Sequence, residues 1–350
     1  MNQFFTFNKT TRKWHLPVIA GLCVGIPIMA GYFSGNTEGG KLASLSGLVI
    51  LYIQSNNIPR RMMILMTCCL GIMLSFTFGL FFSFSNLASP IALAVFSFFI
   101  HYSIYKLGLT KPPGNFFFIM LASVAICMPY QPGKIPERTG YIAMGAMLSC
   151  LLGLVYSLLT LRGKEPPDDP VNAKDRYTNI VESITYGVFI GLSLAIANAL
   201  ELDNPYWAPV SCAAVMQGVS TKHIWMRGTQ RILGTLLGLG LTWGIVLLHP
   251  SPLIIAVSIV ALQVIVEFLV VRNYGIAVVF ITILTIFLAE SGSRLAIDTN
   301  ELFVARLIDI ILGSAIGAIG GWVLFNERVH YLTTLQIRKA KILIRKNKMR

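Results

Sequence analysis

Charge is what this sequence has least of. Only 12% of its 350 residues are Asp, Glu, Lys or Arg, against roughly 25% in a soluble domain. With 55% hydrophobic residues and a mean hydropathy of +0.70, a soluble fold is excluded and the chain reads as an integral membrane protein. Acids are scarcer than bases, 15 against 28, and there are five scattered histidines. The six cysteines (Cys23, Cys68, Cys69, Cys127, Cys150 and Cys212) all lie in apolar runs. They show neither the C-x-x-C spacing of a zinc or redox site nor an extracytoplasmic disulfide framework, and read as buried small hydrophobes. Missing too are G-x-S-x-G, H-E-x-x-H and a nucleotide-binding fingerprint. The chain therefore reads as a non-enzyme that needs no cofactor or metal.

What is there is a succession of long apolar runs. The first begins near Leu16, behind a basic arm with Lys9, Arg12 and Lys13, and reads as a span rather than a cleaved signal peptide. Candidate spans fall at 16–34, 42–54, 62–84, 88–106, 115–130 and 139–161, then 180–200, 205–218, 229–248, 252–271, 274–290 and 303–325. With the N-terminus inside, every Lys and Arg except Lys41, Lys134, Arg138, Arg294 and Arg306 falls on the cytoplasmic side. Glu38, Glu137, Glu201, Asp203, Glu290, Asp298 and Glu301 gather on the other. This positive-inside pattern predicts a multi-pass protein of the inner or plasma membrane with both termini cytoplasmic. The net charge of +13 is thereby topology, not a nucleic-acid surface.

The halves read as copies. Gly25 and Gly191 are 166 residues apart, as are Arg61 and Arg227, His101 and Glu267, and Lys106 and Arg272. "RTGYIAMG" (138–145) and "RLIDIILG" (306–313) share Arg-x6-Gly, and Asn115 matches Asn273 if "LGLTKPPG" is an insertion. Six spans per copy enter from the same side, giving two parallel repeats, a plan found in transporters. The expected organisation is residues 1–161, a charged, proline-rich cytoplasmic linker 162–179, residues 180–325 and a basic tail 326–350.

Two matching runs are stunted. "NPYWAPVSCAAVMQG" (204–218) and "KLASLSGLVILYIQ" (41–54) are too short to span, and short or broken segments in corresponding places point to a transport site. Asn204 can cap a helix beginning at Pro205, and unpaired N–H groups at such a start favour an anion. Substrate candidates there are Lys41, Tyr206, Trp207, Ser211 and Gln217. Tyr206 and Trp207 also suit an interfacial belt, and Lys41 ordinary snorkelling. "RGTQRILGTLLGLG" (227–240) adds Arg227 and Arg231, one turn apart, with Arg61 at the matching place and Asn273 further on. Guanidinium groups suit carboxylates; positive-inside anchoring is the other reading. Gly234, Gly238 and Gly240 indicate close helix packing.

Ionisable groups inside apolar runs are expensive. His101 and Glu267 are candidates for carrying a coupling proton. Asp309, three residues beyond Arg306, is expected in a structural ion pair with it. "RKAKILIRKNKMR" (338–350) resembles an amphipathic helix lying on anionic lipid.

Together, "NPYWAPVSCAAVMQ", "RGTQRILGTLLGLGLTW", "VRNYGIAVVFITILTIFL" and "ARLIDIILGSAIG" resemble the fusaric acid resistance and aromatic acid exporter family. They also resemble the plant aluminium-activated malate transporters. The matching positions are Trp207, Arg231, Gly234, Thr235, Gly238, Asn273, Tyr274, Arg306, Asp309 and Gly313, and the likeness covers 180–325. The resemblance implies movement of small organic anions, aromatic carboxylates in the bacterial members. Many of those carry soluble domains after the membrane part, where this chain has only its basic tail. The expectation is a proton-driven exporter. The alternatives are a passive anion channel and a non-transporting scaffold that docks an efflux partner.

Overall fold

A computed structural model describes residues 7, 8, 10, 12–160, 176–290 and 299–326. Most of the linker 162–179 and the tail from 327 onward lie outside these residues. The described residues form twelve α-helices: α1 (His15–Ser34), α2 (Thr37–Ser46), α3 (Ile58–Phe81), α4 (Ala88–Lys106), α5 (Phe116–Ile126), α6 (Ile135–Thr160), α7 (Arg176–Ala199), α8 (Trp207–Met216), α9 (Thr221–Val246), α10 (Pro252–Leu269), α11 (Tyr274–Glu290) and α12 (Thr299–Leu324). A 3-10 turn over Gly47–Tyr52 extends α2. The protein is all-α and polytopic, one helix for each expected run.

The runs are not twelve full crossings. Among the described residues seven helices, α1, α3, α4, α6, α7, α10 and α12, are long and apolar enough to cross a membrane. The ten residues of α2 and of α8 rise only ~15 Å, half the ~30 Å hydrocarbon layer. α5, with 11 residues, is also short. α9 is 26 residues long but begins with Lys222, Arg227 and Arg231. Helices as short as α8 are marginal alone. This one persists because all ten of its residues are buried by neighbouring helices.

The halves pack alike. In the first, α1 meets α2, α2 meets α6, α3 meets α5 and α6, and α4 meets α5. In the second, α7 meets α8, α8 meets α12, α9 meets α11 and α12, and α10 meets α11. The halves join along two seams, α4 on α7 and α1 on α10, which exchange under the same correspondence. A Cβ on Gly25 would come 2.6 Å from Val260, and one on Gly191 would come 2.5 Å from Ala94. Val260 and Ala94 are themselves 166 residues apart, so each seam is the other with its helices swapped. Only glycine lets the backbones approach so closely.

Between the seams α5 of the first half packs on α8 of the second. Ile119, Ala122 and Ile126 join Cys212, Ala213 and Met216 in one buried apolar cluster. The middle of the molecule is therefore closed by apolar contact in this conformation. Polar groups collect at its two ends, called below the arm face, where residues 7, 8, 10 and 12–14 lie, and the far face.

Candidate functional site

At the far face, α8 does not start as its sequence suggests. Trp207 N–H donates to the Asn204 carbonyl (3.1 Å), Ala208 N–H to that of Pro205 (3.3 Å) and Val210 N–H to that of Tyr206 (3.3 Å). Pro209 has no N–H to offer. Asn204 and Pro205 thus form the turn before the helix, not its cap and first residue. The first-turn amides are spent on it, and the expected anion-binding helix start is absent. Tyr206 flanks the helix with its ring 4.8 Å from that of Trp207.

What the far face does offer comes from α12. The Arg306 guanidinium lies 3.1 Å above the Trp207 ring and donates through Nη2 to Thr285 Oγ1 of α11 (2.7 Å). Trp207, 7% exposed, is thereby held under a cation rather than set in an interfacial belt. Two turns on, Gly313 presses on α8, where a Cβ would collide with the Ala208 carbonyl oxygen. Gly145 does the same to the Ala43 carbonyl of α2, so the shared Arg-x6-Gly motif fixes the long helix against the short one in both halves. The expected Arg306–Asp309 ion pair is not closed. Asp309 is fully buried, and neither of its carboxylate oxygens accepts a hydrogen bond from a described residue. Arg306 has gone to Trp207 and Thr285 instead. Trp207 Nε1 and Ser211 Oγ are likewise buried with no described hydrogen-bond partner.

The matching corner of the first half is built differently. Asn36 caps α2, accepting from Gly39 N–H (2.9 Å) and donating through Nδ2 to the Tyr141 hydroxyl (2.7 Å). Arg138 stands 3.6 Å from the exposed Glu38. Lys41 is the fifth residue of α2, not the first, because Asn36 begins the helix one turn earlier than the alignment with Trp207 implied.

At the arm face the arginines meet backbone. Arg61 donates through Nε to the Ser55 carbonyl (2.8 Å) and through Nη1 to Ser157 Oγ (3.2 Å). Arg227 donates through Nε to the Ala214 carbonyl (3.1 Å). Each therefore neutralises carbonyls at the end of the short segment in its half, where the helix dipole is negative. Arg227 also stands 4.1 Å over the Tyr274 ring, while Arg231 Nη1 donates to the Tyr274 hydroxyl (3.2 Å). Two guanidinium groups thus converge on one aromatic side chain that sequence reasoning noted as a family match and not as part of a site.

Gln217 is engaged elsewhere, donating to the Pro113 carbonyl (2.8 Å). Tyr52 donates to Gly114 (2.6 Å) and Gln54 to Lys111 (3.1 Å), so the inserted loop "LGLTKPPG" ties both short segments together at the arm face. Asn273 is a cap: its Oδ1 accepts from Ile276 N–H (3.1 Å).

His101 and Glu267 do occupy equivalent places, one on each seam. His101 Nδ1 is 3.0 Å from Ser183 Oγ, and its ring stacks on Tyr186 at 4.8 Å. Glu267 accepts from Arg12 Nη2 (3.0 Å) and from Gln263 Nε2 (3.2 Å). The N-terminal arm thus folds back on α10, beside a shallow cleft lined by Thr10, Trp14, Pro17 and Phe268. Arg12 could not have been found from sequence, since 255 residues separate it from its partner. Among the described residues no cluster of His, Cys, Asp and Glu could hold a metal ion.

The class this defines is a helical multi-pass membrane protein with one half-length helix in each of two like-packed halves. Residues 192–320 match the family described as fusaric acid resistance protein-like. A relative, the uncharacterized membrane protein YvaC of Bacillus subtilis, is 35% identical over 148 residues. That stretch is 42% of this chain and 23% of the relative, so the chain spans about a quarter of the curated relative it matches. No solved structure matches.

Proposed function

We propose that the protein moves small organic anions, aromatic carboxylates above all, out of the cell, driven by a proton gradient. The observation that supports this best is the convergence of Arg227 and Arg231 on Tyr274. Planar cations set around an aromatic ring are the groups that hold an aromatic carboxylate, one against its ring and one at its charge. Arg306 over Trp207 repeats the pairing at the other end of the closed contact. On this reading the arm face is cytoplasmic, the two six-helix repeats rock about the α5–α8 contact, and Tyr274 gives way to substrate. Lys41 and Ser211 line the approach from the far face, and His101 or Glu267 takes part in proton movement. On the same reading anionic lipid binds the basic tail and an efflux partner docks on the protein.

Purified protein in liposomes tests this with labelled benzoate. Accumulation against its gradient, only when a pH difference is imposed, is the expected result. Flux that ignores the pH difference and carries current would make the protein a channel. No flux, with a partner co-purifying, would make it a scaffold. Arg227→Ala with Arg231→Ala should cut flux roughly tenfold, the loss of a hydrogen bond to a charged group worth ~1.5 kcal/mol. Wild-type flux in a double variant that elutes as wild type would reduce both arginines to anchors.

A further inference from the structure

The polar group least accounted for is Asp309. It is fully buried on a membrane-crossing helix, and both carboxylate oxygens are without a described donor. His101 and Glu267 each have polar partners at the seams; Asp309 has none of that kind. An ionised carboxylate so placed is expensive, whereas the neutral acid is tolerated. Its surroundings mark it as a switch, not a misfit. The titratable and charged groups acting on it are Arg306 of its own helix, the exposed Asp203 in the turn before α8, and Cys127 at the end of α5. Of the other helices packed on α12, neither α7 nor α9 adds a charged group that acts on it among the described residues. Asp309 therefore sits where α12 and the turn before α8 meet Cys127, just past the end of the first half's α5, at the far end of the apolar contact that closes the middle.

We propose that Asp309 is a proton-binding site, occupied in the form seen, whose deprotonation draws Arg306 off the Trp207 ring into an ion pair. The step balances simply: the carboxylic acid releases a proton toward the far face, and the carboxylate left behind is neutralised by a guanidinium one helical turn away. Because Arg306 covers Trp207, the proton thereby controls the aromatic end of the short helix. The part this plays in transport rests on the proton-driven reading above; the protonation itself does not.

Infrared difference spectra of the purified protein, recorded during a pH titration, test it without any substrate. Wild type and Glu267→Gln should both lose a protonated-carboxyl band as pH rises, and Asp309→Asn should lack that band. Tryptophan fluorescence should change over the same pH range in wild type and stay constant in Trp207→Phe. Asparagine mimics the neutral acid, so Asp309→Asn should fold as wild type. Should it not, Asp309→Glu must keep the band at a shifted frequency. A band unchanged in Asp309→Asn, or no protonated carboxyl at neutral pH in wild type, overturns the proposal. In the liposome assay the pH dependence of benzoate flux should flatten in Asp309→Asn. The infrared band without proton-driven flux would leave the site standing and sink the coupled-transport reading alone.

Discussion

At α2 the chain turns into its short helix through Asn36, whose side chain caps the helix and reaches Tyr141. At α8 it turns in through Asn204, whose backbone carbonyl accepts from Trp207 N–H. The corresponding long helices bring Arg138 to an exposed acid in one half and Arg306 to a buried tryptophan in the other. Both halves leave buried polar atoms without described partners, Arg138 Nε and Asn115 Nδ2 in the first and Trp207 Nε1, Ser211 Oγ and Asp309 in the second. Packing has been kept in both copies, whereas the polar groups that it brings together differ between them. The seams differ in the same sense, with a histidine on a serine in one and an ion pair reaching to the N-terminal arm in the other.

The largest effect should come from what the copies share. Gly313→Leu and Gly145→Leu each drive a side chain into a carbonyl of a short helix. Both should cost ~3 kcal/mol or more and abolish the monodisperse peak in size-exclusion chromatography. Tolerance at one glycine alone would mean that the halves do not pack alike. Next comes the asymmetry of the seams. Arg12→Ala leaves Glu267 buried and charged with no cation, a loss of ~3 kcal/mol. Adding Glu267→Gln should restore most of the melting temperature, and a variant that gains nothing from it would show that the arm contributes little. The smallest effect separates the two helix starts. Asn36→Ala removes a cap, costing ~1 kcal/mol, while Asn204→Ala should stay within ~0.5 kcal/mol. Equal melting temperatures for the two would erase the distinction between the starts.

Much of this was legible before any coordinates. The apolar runs, their number and their pairing at a spacing of 166 reappear as helices with like partners, and the shared Arg-x6-Gly marks the same contact twice. Most roles of single side chains were not legible. Gln217 and Asn273 belong to a loop and a cap, because a polar residue at a helix end meets backbone before it meets a ligand. Asp309 looked like the partner of Arg306 from their spacing alone, yet the guanidinium found an aromatic face on α8 and left the acid behind. Arg12 and Tyr274 acquired their importance from helices far away in sequence.

The sequence by itself determined that this chain lies in a membrane, how many helices its described residues form and that its halves correspond. Those follow from local composition and period, since a backbone in hydrocarbon must satisfy its own hydrogen bonds within each helix. Tertiary structure alone decided which polar groups are satisfied, which cation covers which ring, and that α5 meets α8 to close the middle. Such choices are made between helices, where a side chain selects among several partners at nearly equal cost, and no spacing along the chain records which one it takes.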